Sequence, residues 1–294
     1  MDRNTDRKWQ GRSRGGKFGN AVFVCIIRIF GVRCAYVLLS FVAMYFIPFA
    51  PKATRSIWLY YRKIIGYGVI RSLFELYMHY FTFGQTLIDK IAVRSGRHDS
   101  FRFEFENYDR FLDTISSGGG VVMLGAHVGC WEVGSVYFGR YGRKLNIVMF
   151  DGEDPKVREV LEEGVKEADY KVIPVNHGVL EAMLKIKNAL DAGEYVCFNG
   201  DRYTDISTAV KEKFLGAEAL FPAGPFRIAG KCKVPVVVYY AVREKGRRYR
   251  FIFEELTSGK TGHEELMNAY IASLEEVVRK YPRQWFNFYN FWNI

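Results

Sequence analysis

From position 101 onward the chain alternates short apolar runs with segments of helical periodicity. Residues 101–106, Phe-Arg-Phe-Glu-Phe-Glu, switch between apolar and polar at every step, which predicts a strand with one buried face. Residues 121–124 are apolar, β-branched at their start and bounded by glycines, so they predict a buried strand. Similar runs at 145–150, 170–175 and 195–199 predict further strands, with helices at 131–138, 155–168 and 177–192. Two long β-rich runs, 234–242 and 249–255, predict neighbouring strands, and 264–280 reads as a closing helix. Strands that alternate with helices imply an α/β fold: a mixed, mostly parallel sheet covered by helices.

The first hundred residues follow a different pattern. Residues 1–17 are polar and rich in glycine and arginine, a composition that predicts little order. Residues 19–50 are almost continuously apolar, interrupted only by Arg28 and Arg33. The charge-free part, 34–50, is at the short limit for a bilayer span. A cleaved leader fits poorly, since the basic region is long and no small-residue cleavage site follows. Basic residues lie on both sides of the run (Arg12, Arg14 and Lys17 before, Lys52, Arg55, Arg62 and Lys63 after), so the charge rule gives no orientation. Re-entrant or interfacial helices with snorkelling arginines fit that balance better. Residues 57–83 continue as an aromatic, basic helical pattern that suits either a membrane interface or packing on the domain. A polar stretch, 84–100, leads onward. The expected division is a basic disordered tail at 1–18, a membrane-associating helical region at 19–95 and a catalytic domain at 96–294.

Charge sharpens this division. The net charge of +10 arises entirely in the first third, where 16 Lys/Arg face 5 Asp/Glu; the remainder holds 26 against 27. Basic residues among aromatics suit an anionic surface. The long apolar runs beside them favour lipid over nucleic acid. Five scattered cysteines show no metal spacing and no disulfide framework. Cys130 reads as a small buried hydrophobe rather than a nucleophile.

The candidate chemistry sits where the strand at 121–124 ends, in Gly125-Ala-His127-Val-Gly-Cys-Trp-Glu132. The carboxyl end of a buried strand is where open α/β sheets place ligands. An imidazole, which ordinarily titrates near ~6.5, takes a proton from a hydroxyl at neutral pH. A carboxylate on its other ring nitrogen fixes the tautomer and stabilises the imidazolium. Five helical positions amount to about 140° net, so His127 and Glu132 meet only if His127 lies in the turn before a helix. Taken alone the spacing is a weak signal, and a hydrogen-bonded structural histidine accounts for it more readily.

Two other clusters carry possible chemistry. Asn199-Gly-Asp201-Arg202 ends a predicted strand and suits a polar or anionic head group, although a turn with a surface ion pair fits as well. Gly224-Pro225 opens a predicted helix through Ala229, whose free N–H groups would hold an oxyanion or phosphate; a plain loop-to-helix junction is equally consistent. There is no P-loop, dinucleotide fingerprint or metal-ligand cluster, so no metal and no cofactor is expected. His79, His98 and His263 lack partners nearby in sequence and read as surface or packing residues.

The segment His127-Val-Gly-Cys-Trp-Glu132 resembles the His-x4-Asp/Glu motif of the lysophospholipid acyltransferase superfamily. Its flanks look most like the bacterial lipid A biosynthesis acyltransferases, in the lauroyl/myristoyl transferase branch and a Bacteroidetes-like version of it. The likeness spans about 28–285 and rests on ordered blocks: Asn199-Gly-Asp201, Phe214-Leu-Gly216, Gly224-Pro-Phe-Arg-Ile-Ala229, Val234-Pro-Val-Val, and the ending Pro282-Arg-Gln284-Trp285. Three departures bear on substrate. Tyr203 stands where the family often has a second aspartate. A common arginine has only Arg158 or Lys171 as counterpart, and residues after Gln284 are aromatic where the family is usually basic.

The resemblance implies a glycerolipid acyltransferase-like fold and transfer of a fatty acyl chain from an acyl-carrier-protein thioester to a hydroxyl of a membrane lipid, a lipid A precursor above all. His127 and Glu132 would be the catalytic pair, with Asp201, Arg202, Arg158 and Gly224 toward substrate. The expected partners are the acyl carrier protein as co-substrate donor, the membrane lipid acceptor and an anionic membrane surface, with no nucleic acid. The expected place is the bacterial inner membrane, catalytic domain on the cytoplasmic face. Other readings are an acyltransferase acting on another amino-lipid or phospholipid, a thioesterase-like hydrolase, and an inactive membrane lipid-binding protein.

Overall fold

The computed structural model describes residues 16–116, 118–130, 133, 143–149, 170–175, 178–203, 208–259 and 261–292. The helices expected at 131–138 and 155–168 fall largely or wholly outside these residues.

Seven strands form one sheet: β1 (Arg102–Glu106), β2 (Val121–Gly125), β3 (Leu145–Met149), β4 (Tyr170–Pro174), β5 (Tyr195–Asn199), β8 (Val236–Glu244) and β9 (Arg248–Thr257), in the order β1-β9-β8-β2-β5-β3-β4. Five run parallel, from β8 to β4, and β9 turns back antiparallel to β8 with β1 parallel to it. The sheet is therefore mixed and mostly parallel, as the pattern predicts. A separate antiparallel hairpin joins β6 (Ala209–Phe214) to β7 (Ala217–Pro222). The hydrophobic pattern predicts no element there, because charged and apolar residues alternate over only a few positions.

Alternation along each central strand feeds two cores. Val122, Leu124, Val196 and Phe198 pack on one face with helices α5 (Val179–Asp191), α6 (Ala223–Cys232) and α7 (His263–Lys280). Val121, Met123, Tyr195 and Cys197 face the other way. They meet α4 (Tyr108–Ser116), α1 (Gly16–Phe49) through Ile27, Ala35 and Leu39, and the end of α3 (Val69–Arg94) through Ile88 and Ala92. Burial on both faces is what nearly continuous apolar strands require.

The first third is helical but not as one run. Gly31 at φ 81° kinks α1, α2 (Pro51–Leu59) follows directly, and a π-helical turn at Tyr60–Ile64 precedes α3. α3 runs on to Arg94, through residues expected as a polar lead-in, because its apolar stripe Leu76, Tyr80, Ile88, Ala92 keeps helical spacing. Residues 21–49 are long and apolar enough to cross a membrane, yet few of them are buried. The exposed apolar face of α1 and of the start of α3 includes Phe41, Phe49 and Ile70, the last 86% exposed.

One buried polar cluster ties these helices to the sheet. Asp89 of α3 accepts from Arg243 Nε of β8 at 2.8 Å and Tyr249 OH of β9 at 2.7 Å, and also from Tyr36 OH of α1. Burial outweighs these partners and raises the Asp89 carboxyl above its ordinary value. Asp89→Ala would leave the largely buried Arg243 guanidinium without its carboxylate. It should cost about 3–5 kcal/mol of unfolding free energy, read by urea titration in detergent, whereas a surface-type loss under 1 kcal/mol would contradict the cluster's role.

Candidate functional site

The register of two neighbouring parallel strands builds the site. Gly125, the last residue of β2, pairs with Asn199, the last of β5. Two residues further along each strand stand His127 and Asp201, so parallel pairing alone brings them side by side. His127 Nδ1 lies 2.8 Å from Asp201 Oδ1, and the His127 backbone N–H donates to Asp201 Oδ2 at 2.9 Å. Trp285 Nε1 donates to the same Oδ2 at 3.1 Å.

A carboxylate only accepts, so Nδ1 carries the proton in the neutral ring and Nε2 is left with a lone pair. Asp201 is 3% exposed, while the His127 side chain is 29% exposed. One partner is sealed in the protein and the other presents its ring to the outside. Burial alone would raise the Asp201 pKa, but the charge and hydrogen bonds of His127, with the Arg202 guanidinium nearby, pull it down to about 2.

The loop after β2 needs its glycine. Gly129 has φ 66°, and a Cβ there would lie 2.0 Å from the Ala241 carbonyl oxygen. It is this close because Cys130 N–H donates to Ala241 at 2.9 Å, holding the loop on β8. From the other side, Gly129 N–H donates to the Gln284 carbonyl and Phe286 N–H to the His127 carbonyl, so 127–129 and 284–286 form a short antiparallel bridge. Gly125 and Gly200 are tied by a 3.0 Å backbone bond, and Tyr270 OH caps the Gly125 carbonyl at 2.8 Å.

Of the expected site residues, the structure brings together His127, Asp201 and Arg202. Asp201, expected toward substrate, has both oxygens engaged inside the protein. Arg202 donates to the Phe286 carbonyl at 3.3 Å and lies over the Tyr289 ring. Gly224 is exposed at the second position of α6, with open space around it; no hydrogen bond joins it to His127 among the described residues. Glu132 and Arg158 lie outside the described residues. His79 is buried and bonded to Tyr61 OH at 3.0 Å, and burial lowers its pKa to about 3, the state of a packing residue. Trp285, whose indole touches the Asp201 carboxylate, stood in the sequence only as part of a terminal signature; a buried indole needs an acceptor, which was the available hint. Among the described residues no group of His, Cys, Asp or Glu is arranged to hold a metal.

A depressed carboxyl contributes stability that is complete above its unfolded value and lost as pH falls through the folded one. For Asp201 the window lies between the ordinary 3.8 and about 2. Asp201→Asn should therefore lower unfolding free energy by about 2 kcal/mol at neutral pH, and the deficit against the wild type should shrink on acidification through that window. A deficit constant with pH, measured by denaturant unfolding, would contradict the pairing.

Comparison with known proteins adds two findings. The sequence profile of the family described as bacterial lipid A biosynthesis acyltransferase matches residues 70–293, from the start of α3 to the end of the chain's aromatic tail. No curated protein matches significantly.

Proposed function

Since the chain belongs to the bacterial lipid A biosynthesis acyltransferase family, and so is an acyltransferase of that pathway, we propose that His127 is its general base in the transfer of a fatty acyl chain from an acyl-carrier-protein thioester to a hydroxyl of a lipid A precursor. The observation that carries this reading is the 2.8 Å contact of Nδ1 with a buried carboxylate, which leaves Nε2 as the acceptor of a proton. Nε2 takes the hydroxyl proton as the alkoxide oxygen bonds to the thioester carbonyl carbon. The tetrahedral intermediate then collapses, the carbon–sulfur bond breaks, and the departing thiolate receives the proton from the imidazolium. A thioester is already activated, so a base worth ~10²–10⁴ together with positioning suffices.

Asp201 fills Nδ1 in this scheme. A part for Glu132, the other motif residue, then falls at the Nε2 side or on the acceptor. Arg202, and Arg158 by the family likeness, are the cations for the head group or the donor's phosphopantetheine, and the α6 amino end at Gly224 offers N–H groups to an anion. The fold would be of the glycerolipid acyltransferase type, in the lauroyl/myristoyl transferase branch and a Bacteroidetes-like version of it. The run 286–292, aromatic where the family is usually basic, includes Phe286, Phe291 and Trp292, all buried, with Phe286 and Phe288 on His79 and Phe83 of α3. Packing accounts for that departure, so it does not by itself argue for a different acceptor.

The exposed apolar face of α1 and early α3, edged by Arg28, Lys52 and Arg55, suits an anionic membrane surface at the cytoplasmic side of the bacterial inner membrane.

His127→Ala should abolish acyl transfer from labelled acyl carrier protein to lipid and, because it takes the ring partner from the buried Asp201 carboxylate, lower the unfolding midpoint without abolishing the fold; wild-type-like turnover would remove the base assignment. Free fatty acid in place of acylated lipid would point to hydrolysis instead. Replacing Phe41, Phe49 and Ile70 together by serine should weaken flotation with anionic vesicles by more than about tenfold, as each buried aromatic or aliphatic side chain carries roughly 1.5–3 kcal/mol. Unchanged flotation would place the membrane contact elsewhere.

A further inference from the structure

The carboxylate behind His127 is itself held from behind. Asp201 Oδ2 accepts two N–H donors, one from the His127 backbone and one from the Trp285 indole, which leaves Oδ1 for the imidazole. With both oxygens committed, the carboxylate cannot rotate about its own axis without breaking a charge-assisted bond. The indole comes from residues 282–286, a strap pinned along its length. Tyr60 OH and Tyr61 OH donate to the Pro282 carbonyl at 3.2 and 3.3 Å, and Arg283 forms a forked pair with Glu75 of α3. The Gln284 side chain accepts from Arg243 N–H at 2.7 Å and donates to the Arg243 carbonyl at 2.8 Å. Phe286 N–H then closes on the His127 carbonyl at 2.7 Å.

The ring of Trp285 is 1% exposed and meets Tyr60, Phe214 and Phe291 edge-on, contacts that a phenyl ring would also make. Its N–H is what a phenyl ring lacks, and that N–H is aimed at Asp201, the carboxylate bonded to the candidate base among the described residues. We propose that Trp285 is a positioning residue for acyl transfer: its indole N–H orients the Asp201 carboxylate and draws charge from it, setting how strongly His127 holds a proton. The proposal rests on the reading of His127 as the base.

The experiment compares Trp285→Phe, in the full-length membrane-associated protein, with the wild type. Without the indole donor the carboxylate carries more charge and binds the imidazolium more tightly. The acid limb of the kcat profile should move to higher pH by on the order of one unit, with kcat down about 10–100-fold, as is usual for partners behind a reacting group, and KM within about twofold. Should Trp285→Phe fail to fold, incorporation of 3-benzothienyl-alanine at 285 keeps the two-ring shape and deletes only the donor, with the same shift expected. Titration of the His127 ring by NMR in either variant reads the effect without turnover. A shifted titration with an unchanged rate would uphold the positioning and end the base assignment. A pH profile and ring titration that superimpose on wild type, with only a lower unfolding midpoint, would overturn the proposal and leave Trp285 a core residue.

Discussion

The site depends on one buried anion. Asp201 lies out of reach of water, and a carboxylate taken from water without replacement bonds would cost several kcal/mol. His127 contributes two of those bonds, from its ring and its backbone, and Trp285 the third. The position of the imidazole is thus a consequence of the anion's need for donors. The sheet makes the meeting unavoidable, because β2 and β5 are parallel, adjacent and in register at their last residues. Gly125, Gly129 and Gly200 let the two chain ends leave the sheet close together, where side chains at 129 and 200 would strike Ala241 and Tyr270.

The same economy of bonds joins the apolar helices to the site. The strap from Pro282 to Phe286 contacts the π-helical turn and α3 on one side and the His127 loop on the other. Arg243 serves twice: its backbone receives Gln284 and its side chain receives Asp89 and Tyr36. The helices that present apolar side chains to the outside are therefore not an independent anchor. They share both cores with the sheet, and a short chain of buried polar contacts runs from them to His127.

Much of the fold was legible because the central strands are short apolar runs with glycine or polar ends, and their lengths leave little choice of structure. The strands at Val121, Tyr195 and Val236 and the closing helix follow from that pattern. The π-helical turn and the hairpin at 209–222 did not show, since each is set by packing rather than by local periodicity; the helix at 108–116 carries helical spacing at Tyr108, Phe111, Leu112 and Ile115 but over only nine residues. In the site, His127 stood out through the likeness of its segment to a His-x4-Asp/Glu motif, since a histidine at a strand end is by itself accounted for by a structural hydrogen bond. The partner was harder to see. Glu132 is five positions away in sequence and Asp201 is seventy-four, and only strand order decides that the distant carboxylate reaches Nδ1. Sequence spacing favours the near residue and sheet topology favours the far one. Trp285 was further hidden, since its donor role appears only once the strap is known to lie beneath the loop.

The central claim is that a carboxylate occupies Nδ1 and leaves Nε2 unprotonated, which is a statement about a tautomer. Nitrogen-15 NMR of the ring-labelled protein above the ring's titration, with His127→Ala to assign its signals, reads that tautomer directly. The account requires His127 protonated at Nδ1, with a far-downfield ring proton that vanishes in Asp201→Asn. A ring protonated at Nε2, or a signal indifferent to that substitution, would contradict it.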